Sequence, residues 1–417
     1  MISDEIFNSG SIAGLSVTAL AKEYGTPLYV YDAATIRTRY QLLSKAFEGY
    51  PAKLHYAAKA CTNLHIMQLL RLQGAALDTV SLNEARAGLL AGFEPSQMLY
   101  TPSSVSMIEM QQAVELGIHP VIDNLALLEQ FGKTYGKSYP CSIRLNPDIL
   151  AGGHARIQVG HKESKFGIPA YQIDEITAIT GRYNMQIQGL HCHVGSEIAG
   201  KEPFLRIVDL LLSLLHLFPE LQFIDIGSGF KVPYYRNHPE EDILGLGKAV
   251  TDRMNAYANE HQRKPILYLE PGKYLLADAG YLVASVRSVK PIQNQLIVGL
   301  NTGFNHLLRP MFYDAFHELI NVSNMQGPIK EYTLVGNICE TDFFARNREL
   351  NELREDDLLV FLHAGAYGFS MSSNYNLHER PAEVLVDQGK AQLIRRRETF
   401  EDLMATQTAF FRLKNNN

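Results

Sequence analysis

The sequence has few of the features that mark several large classes of protein. Its four cysteines, Cys61, Cys141, Cys192 and Cys339, are scattered along 417 residues without a CxxC pair, which excludes a dense disulfide framework and predicts reduced thiols. It contains 38 basic and 44 acidic residues, a formal net charge of -6, so it has no broad basic excess to attract nucleic acid or anionic lipid. We therefore expect neither of these partners.

Long apolar runs are also missing. The most apolar segment, 207–218, contains Asp209 and His216, and it is too short and too polar to span a bilayer. The opening residues, MISDEIFNSG, do not combine a positive region with a following apolar stretch, so we predict no secretory signal. These absences predict a cytoplasmic protein with no membrane partner.

The remaining composition is that of a folded globular protein. Hydrophobic residues make up 46% of the chain and charged residues 20%, with 31 glycines and 18 prolines, which excludes a disordered or collagen-like chain. A chain of 417 residues is longer than one hydrophobic core usually organises, so we expect two domains. This size leaves ample room for an enzyme.

Eight short β-rich runs recur through the first two thirds of the chain. They cover residues 53–60, 75–81, 98–102, 120–124, 141–147, 187–195, 223–230 and 266–272. Stretches with helical spacing, such as 83–91 and 106–116, lie between most of them. This alternation predicts a parallel (β/α)8 barrel, because the alternative, an open doubly wound sheet, would need a glycine-rich first crossover near Lys59 that the sequence lacks.

Beyond Lys273 the pattern changes to alternating strands separated by turns, as in LVASVRSVK, YTLVG and AEVLVDQG. This pattern predicts a second domain, a mostly antiparallel β-sandwich or β-barrel. The predicted organisation is an N-terminal segment at 1–34 that joins the β domain, a barrel at 35–275 and a C-terminal β domain at 276–417.

Polar residues stand where the predicted barrel strands end, which is where such barrels build their active sites. Lys59 closes the first strand and shares parity with His55 and Ala57, so we expect it to point toward the barrel axis. The seventh strand ends in DIGSGF and the eighth in EPGK. Loops at these two positions commonly bind phosphate through backbone N–H groups.

The sixth strand supplies His191 and His193 on one face. Two histidines at this spacing can bind a metal ion, so a metal-dependent barrel hydrolase is one hypothesis, and hydrogen-bonded histidines in a polar barrel mouth are another. A lysine, a phosphate loop, the ring of His193 and the carboxylate of Glu270 together also suit pyridoxal 5'-phosphate. Glu270 beside the ring nitrogen would keep that nitrogen protonated, which favours decarboxylation.

Several segments form a specific combination of motifs. They are YAAKA at 56–60, LDTVS at 77–81, SKFGI at 164–168, GLHCHVGS at 189–196, DIGSGF at 225–230, EPGKYL at 270–275, RPMFYDA at 309–315, CE at 339–340 and GAYGFSMSSNYN at 365–376. The combination resembles the fold-type III pyridoxal-phosphate decarboxylases that act on ornithine, arginine and diaminopimelate, and most closely the diaminopimelate decarboxylases. The resemblance implies pyridoxal 5'-phosphate as cofactor, a small amino-acid substrate and no metal site.

The resemblance also implies roles position by position. Lys59 would bind the cofactor covalently and Cys339 would donate a proton. The implied catalytic residues are Lys59, His193, Glu270 and Cys339. The implied cofactor-binding residues are Lys59, Asp78, His193, Ser196, Gly227, Gly229, Glu270, Gly272, Lys273 and Tyr367. The implied substrate-binding residues are Lys273, Arg309, Tyr313, Glu340 and Tyr367. Lys273 stands where most relatives carry arginine, and lysine cannot make the planar two-pronged contact of arginine.

The reaction implied by the resemblance is the decarboxylation of meso-2,6-diaminopimelate to L-lysine and carbon dioxide, the last step of lysine biosynthesis. The implied assembly is a homodimer whose active sites draw on both chains. Decarboxylases of ornithine, arginine or carboxynorspermidine are the nearest alternatives in the same fold. An alanine racemase is disfavoured by Glu270, and a cofactor-free regulatory homologue is disfavoured by the presence of Lys59.

Overall fold

The computed structural model describes residues 4–236 and 239–411. The described chain divides into two compact units. The barrel unit contains residues 36–233 and 239–276, and the β unit contains residues 4–35, 234–236 and 277–411. The short segment 234–236 therefore belongs to the β unit although it lies, in sequence, inside the barrel unit.

The barrel unit is built on eight parallel strands. They are β1 (Ala52–Ala57), β2 (Ala76–Thr79), β3 (Met98–Tyr100), β4 (His119–Ile122), β5 (Cys141–Asn146), β6 (Ile187–His191), β7 (Phe223–Asp225) and β8 (Ile266–Leu269). Each strand pairs in parallel with the next, and β8 pairs with β1, so the sheet closes on itself. A short strand, Ile168–Pro169, adds to β5 outside the ring. The predicted (β/α)8 barrel is confirmed.

Helices connect the strands of the barrel. They cover Ala33–Ala46, Leu64–Leu72, Leu82–Leu90, Met107–Glu115, Leu125–Tyr135, Ile173–Arg182, Glu202–Ser213, Ile243–His261 and Lys273–Leu276. Local sequence explains where several of them begin. The side chain of Ser106 accepts a hydrogen bond from the N–H of Glu109, and the Glu109 side chain accepts one from the N–H of Ser106, which satisfies two otherwise unpaired donors. Asn124 caps the next helix with a single bond, because its side chain accepts from the N–H of Leu127.

The interior of the barrel is filled by side chains and is not a pore. The rings of Phe223 and Tyr268 stack with centroids 4.1 Å apart, and His55 lies 4.4 Å from Tyr268. Gly189 makes this packing possible, because a Cβ atom there would lie 2.3 Å from the Phe223 ring and 2.5 Å from Ser142 Oγ. Burial lowers the pKa of His55 to about 3, so it is a neutral packing residue. The polar chemistry is therefore left to the strand ends.

The barrel strands end earlier than the sequence predicts. The first was predicted to continue to residue 60, but β1 stops at Ala57, and Lys59 lies in a single 3-10 turn, Ala58–Ala60, that directly follows. The N–H of Cys61 bonds to the Ala58 carbonyl in that turn, so the chain has already left the sheet. The sixth and seventh strands likewise stop at His191 and Asp225. The polar motifs are thus held in turns just beyond the strands.

The β unit is a mostly antiparallel assembly. Its strands are Ser11–Ile12, Leu15–Ser16, Leu28–Asp32, Gly280–Ile292, Gln295–Leu300, Leu319–Asn321, Ile329–Val335, Phe343–Asn351, Leu358–Phe361, Ala382–Asp387 and Lys390–Arg395. The N-terminal strand Leu28–Asp32 lies between Gly280–Ile292, with which it is antiparallel, and Ala382–Asp387, with which it is parallel. The antiparallel prediction for this part of the chain is confirmed, with Gln295–Leu300 beside Ile329–Val335 as a second parallel pair.

The core of the β unit joins the N-terminal residues to the later strands. Its buried members include Ile6, Leu28, Val283, Val360 and Val384, which come from distant parts of the sequence. The helices of this unit are Asp4–Ser9, Val17–Tyr24, Arg309–Tyr313 and Phe400–Thr408. Across the described ranges of both units, none of the helices has the length and apolar character needed to cross a membrane.

Candidate active site

The carboxyl ends of the barrel strands carry a cluster of buried acids. Asp78 on β2, Asp225 on β7 and Glu270 directly after β8 are at most 5% exposed. Burying a carboxylate is costly unless it is paired or hydrogen-bonded. The structure therefore has to provide partners at this end of the barrel, and those partners define the site.

Lys59 is the partner of Asp78. Its Nζ lies 3.1 Å from Asp78 Oδ2, and the hydroxyl of Thr101, after β3, donates to the other oxygen of the same carboxylate. Burial raises the pKa of Asp78 and the charge of Glu270 adds to this effect, whereas Lys59 opposes both. The lysine predicted to carry chemistry is thus fixed by an ion pair at the barrel mouth, with about a third of its side chain exposed (33%).

Glu270 is paired with His191, whose Nε2 lies 3.2 Å from Glu270 Oε2. Burial alone would raise the pKa of Glu270, but the charge and hydrogen bond of His191 and the charge of Lys59 outweigh burial and lower it. Nearby Asp225 behaves in the opposite way, because burial and the charge of Glu270 raise its pKa well above the ordinary value. Two adjacent carboxyl groups with divided pKa values indicate that Glu270 is the one that holds the negative charge.

His193 and the glycine turn after β7 are built against each other. His193 Nδ1 accepts a hydrogen bond from the N–H of Ser228, at 3.3 Å, so the ring proton is on Nε2. Burial lowers the pKa of His193 to about 3, which keeps the ring neutral. The turn is held at Gly227, since Asp225 Oδ1 accepts from the N–H of Gly227 and the Gly227 carbonyl accepts from the N–H of Glu270, both at 2.8 Å.

The two glycines of this turn cannot carry side chains. Gly227 has a φ of 64° and Gly229 a φ of 116°, a region that favours glycine. A Cβ atom at Gly227 would lie 2.6 Å from His193 Nδ1, and one at Gly229 would lie 2.3 Å from the Gly195 carbonyl oxygen. The result is a backbone cradle of the kind that holds a phosphate group.

Two more predicted residues lie in the loops that follow β6 and β8. Ser196 is held by the segment 153–157, because its N–H donates to the Ile157 carbonyl at 3.1 Å and its carbonyl accepts from the N–H of Gly153 at 2.9 Å. Gly272 packs against β1 and its turn, where a Cβ atom would lie 3.0 Å from the Cβ of Ala60. The backbone thus comes close to the Lys59 turn from the side of β8.

Lys273 has a partner that the sequence analysis did not identify. Its Nζ lies 2.6 Å from Glu197 Oε1, and the two side chains are only 7% and 19% exposed. Glu197 follows Ser196 and has a φ of 62°. Lys273 is therefore not an isolated cation, because the partly buried carboxylate of Glu197 balances its charge.

The remaining predicted residues lie in the β unit. Arg309, at the start of the helix Arg309–Tyr313, is 5% exposed. Its guanidinium carbon lies 5.1 Å from the ring centroid of Tyr234 and 5.9 Å from that of Tyr313. Tyr367 has a φ of 56°, a strained conformation for a tyrosine. Arg309 and Tyr313 are thus brought together, as the substrate-binding hypothesis requires.

Cys339 and Glu340 lie in the loop between Ile329–Val335 and Phe343–Asn351, and both are exposed. Each makes a hydrogen bond to the hydroxyl of Tyr375. The other three cysteines are buried, and burial raises the pKa of Cys141 and Cys192. Cys339 is therefore the accessible thiol of the chain.

Sequence reasoning missed several residues of the site. It gave no role to Asp225, to Glu197 or to Arg144, a 7% exposed arginine on β5 whose guanidinium carbon stacks 4.7 Å above the ring of Phe166. A signal for Arg144 was present, because a charged residue inside an otherwise apolar strand needs a reason to be buried. No such signal existed for Glu197, which reads as an ordinary surface residue.

The metal hypothesis placed His191 and His193 on one ion. In the structure, His193 Nδ1 instead accepts a hydrogen bond from the N–H of Ser228. The possible ligand atoms of His191, Asp225 and Glu270 lie within 4.8 Å of one another. The pair of histidines that motivated the hypothesis therefore does not converge.

Comparison with known proteins identifies the class. Residues 33–277 match the model of the pyridoxal-dependent decarboxylases, pyridoxal binding domain. The chain belongs to the pyridoxal-dependent decarboxylase family, whose cofactor is pyridoxal 5'-phosphate. The expected cofactor and enzyme class are confirmed.

Individual relatives are more specific. The chain is 37% identical over 412 residues to a diaminopimelate decarboxylase of Methanothermobacter thermautotrophicus, covering 96% of each chain. It is 36% identical over 405 residues to a diaminopimelate decarboxylase of Pseudomonas fluorescens, covering 94% of this chain and 95% of that one. It is also similar to the crystal structure of the Helicobacter pylori diaminopimelate decarboxylase complexed with L-lysine, with a TM-score of 0.87, 29% identity and coverage of 94% and 100%.

The residues of the barrel mouth fit this cofactor. Among the described residues, Glu270 Oε1 and Asp225 Oδ2 are buried side-chain oxygens without a hydrogen-bond partner, and a protonated ring nitrogen would supply a donor. The Gly227–Gly229 turn offers backbone at a place where a side chain would fill the space. Lys59 offers an amine beside these groups. The site thus has a carboxylate for the ring nitrogen of the cofactor, a backbone turn for its phosphate and an amine for its aldehyde.

We predict that Glu197→Gln lowers stability because it leaves the buried ammonium of Lys273 without its carboxylate. The expected loss in free energy of unfolding is roughly 1–3 kcal/mol, measured by urea denaturation. Asp252→Asn is the matched control, since Lys248 Nζ and Asp252 Oδ2 are also 2.6 Å apart but 74% and 61% exposed, and its expected loss is below about 0.5 kcal/mol. Equal losses in the two variants would contradict the burial argument.

Proposed function

We propose that the chain catalyses decarboxylation of meso-2,6-diaminopimelate to L-lysine and carbon dioxide. The observation that carries the proposal is the buried, ionised Glu270, which stands beside Lys59 and the glycine cradle at the barrel mouth. The relatives named above support the choice of substrate, because they match over nearly the full length of the chain. The lysine bound to the Helicobacter pylori relative is the product that this reaction would give.

The barrel residues would hold the cofactor and shape its chemistry. Lys59 would attach it covalently, Asp78 would orient Lys59, and His193 would stack on the ring. Glu270 would accept a hydrogen bond from the ring nitrogen and so favour its protonated form. When bound, pyridoxal phosphate supplies an electron sink for the electron pair left behind as carbon dioxide departs.

The cradle and its surroundings would hold the phosphate. We assign this role to the backbone of Gly227, Gly229 and Gly272, to Ser196 and to Tyr367. Lys273 directly follows Gly272, and its ammonium group is paired with the carboxylate of Glu197. We assign Lys273 to the binding of both the phosphate and the distal carboxylate of the substrate, with its charge partly compensated by Glu197.

The β-unit residues would recognise the far end of the substrate and finish the reaction. Diaminopimelate carries an amine and a carboxylate at both ends, so it needs one anion and one cation beyond the reacting carbon. Glu340 would pair with the distal amine, and Arg309 with Tyr313 would bind the distal carboxylate. Cys339 would return a proton to the carbon that has lost its carboxylate.

We further propose that the protein works as a homodimer with shared sites. Cys339 and Glu340 are exposed in the single chain, yet a residue that protonates carbon works best where water is excluded. A second copy would cover them, so that Lys59 of one barrel meets Cys339 of the partner subunit. We place the reaction in the cytoplasm, since a biosynthetic enzyme acts where its substrate is made.

The cofactor assignment predicts a single modified lysine. Borohydride reduction of the purified protein, followed by peptide mass spectrometry, should find the pyridoxyl group on Lys59, because that amine lies at the barrel mouth. Lys59→Ala should lose both the label and carbon dioxide release. Lys53→Ala is the control, since Lys53 lies near the amino end of β1, the strand that precedes the Lys59 turn, and it should keep the label. A label on another lysine in the wild-type protein would refute the assignment.

The shared-site proposal predicts complementation. Lys59→Ala and Cys339→Ala should each be inactive, but dissociating and reassembling them together makes about half the dimers mixed, and each mixed dimer has one intact site. Carbon dioxide release should then recover to roughly a quarter of the wild-type rate.

Pairing Lys59→Ala with Glu270→Ala is the control for this experiment. Both residues come from the barrel unit, so every reassembled site keeps one defect and activity should stay absent. A mixture of Lys59→Ala and Cys339→Ala that remains inactive despite demonstrated subunit exchange would mean that each site lies within one chain.

A further inference from the structure

Four side chains of the β unit form a hydrogen-bonded group that we call the thiol cluster: Cys339, Glu340, Tyr375 and Asn376. The Tyr375 hydroxyl lies 2.8 Å from Glu340 Oε1 and 3.3 Å from Cys339 Sγ. Asn376 Nδ2 donates to Cys339 Sγ at 3.1 Å, and its Oδ1 accepts from the N–H of Cys339 at 2.9 Å. One tyrosine oxygen therefore contacts both residues that the proposed function uses at opposite ends of the substrate.

The cluster is held in place by its backbone and by a ring contact. Asn376 has a φ of 55°, which turns its amide toward Cys339. The ring of Tyr375 stacks on Phe304 with centroids 5.7 Å apart and planes 17° apart. Asp342 ties the two loops together, because its carboxylate accepts from the N–H groups of Phe304 and Gly336, both at 3.0 Å. The hydroxyl of Tyr375 is thus positioned by the fold and not by chance contact.

The hydroxyl of Tyr375 can donate to only one of its two neighbours, Glu340 and Cys339, at a time. A tyrosine hydroxyl has one proton to donate and an oxygen that can accept. While Glu340 is a carboxylate without a cation beside it, it accepts the hydrogen bond of that hydroxyl, and the Tyr375 oxygen can accept a hydrogen bond from the S–H of Cys339. If a cation neutralises Glu340, the hydroxyl proton is free to turn toward Sγ. A hydrogen bond donated to sulfur stabilises the thiolate and makes the thiol a stronger acid.

We propose that Tyr375 is a positioning residue that couples occupation of Glu340 by a cationic group to the readiness of Cys339 to give up its proton. The identification of that cation as the distal ammonium of the substrate rests on the proposed function. Recognition of the correct substrate would then prepare the proton donor, and a substrate without a distal amine would leave Cys339 a weaker acid.

The charges around the thiol agree with this assignment. A hydrogen bond donated by Tyr375 has the largest lowering effect on the pKa of Cys339, one from Asn376 comes second, and the charge of Glu340 acts to raise it. The first effect needs the single proton of Tyr375, for which Glu340 competes. Among the described residues, Tyr375 and Glu340 are the titratable groups that act on this sulfur. Glu340 therefore affects Cys339 in two ways, directly through its charge and indirectly through the proton of Tyr375.

A double-mutant cycle on the holoprotein separates the two effects. The pH dependence of Cys339 alkylation by iodoacetamide gives its pKa, since the other cysteines are buried, and Cys339→Ser gives the background. In the wild-type background the Tyr375 proton goes to Glu340, so Tyr375→Phe should not raise the midpoint, whereas in the Glu340→Gln background it should raise the midpoint by about one pH unit. Glu340→Gln should lower the midpoint in the wild-type background. The lowering by Glu340→Gln should be clearly smaller in the Tyr375→Phe background, where only the direct charge effect remains.

Tyr171→Phe removes a hydroxyl from a tyrosine that is 83% exposed on the barrel unit, and it should leave the midpoint unchanged. An equal effect of Glu340→Gln in the wild-type and Tyr375→Phe backgrounds would overturn the coupling. These outcomes do not depend on which substrate the enzyme uses. If diaminopimelate is the substrate, Tyr375→Phe should also lower kcat about tenfold with little change in KM, whereas failure of turnover with a normal thiol titration would count against the proposed function alone.

Discussion

Burial of negative charge at the ends of the barrel strands is the constraint on which the site depends. Asp78, Asp225 and Glu270 are all buried there, and uncompensated carboxylates in such a place would destabilise the fold. Lys59 compensates Asp78, and His191 compensates one oxygen of Glu270. The second oxygen of Glu270 is the one left for a ligand. A cationic ring nitrogen beside this oxygen would therefore supply the partner that Glu270 Oε1 lacks.

The same constraint fixes the geometry of the phosphate cradle. Asp225 uses one oxygen to hold the N–H of Gly227, and the Gly227 carbonyl accepts from the N–H of Glu270. Glu270, which we assign to the ring nitrogen, and the turn that we assign to the phosphate are thus joined by Gly227. His193 is tied to this turn through Ser228, so a shift of the turn would move the imidazole ring of His193 as well.

Much of this arrangement could be predicted from the sequence, because the periodicity of strands and helices determines which end of the barrel each motif reaches. Lys59, Glu270 and the glycine turn were located in this way. The partners were not predictable. Glu197 is 76 residues from Lys273, and His191 is 79 residues from Glu270, so neither pair leaves a local pattern. Closure of the barrel brings the partners of each pair together, and the amino-acid composition does not indicate which residues will meet.

The sequence analysis was less successful in the turns and in the β unit. It extended the first strand through Lys59, because the run of small and apolar residues around it does not reveal the 3-10 turn that follows Ala57. The motif at 365–376 contains Tyr375 and Asn376, but its pattern predicted no role for either residue. Their function depends on a left-handed backbone at Asn376 and on a loop more than thirty residues earlier (36 residues from Tyr375 to Cys339), and both are properties of the folded chain.

The most direct measurement is carbon dioxide release by the purified, cofactor-loaded protein from separate diaminopimelate stereoisomers, ornithine and arginine. The account predicts release from the meso isomer with L-lysine as product. It also predicts that ornithine is at least about a hundredfold poorer in kcat/KM, because it lacks the distal carboxylate and would leave Arg309 buried without a partner. Comparable turnover of ornithine, or release of carbon dioxide from the meso isomer without L-lysine, would contradict it.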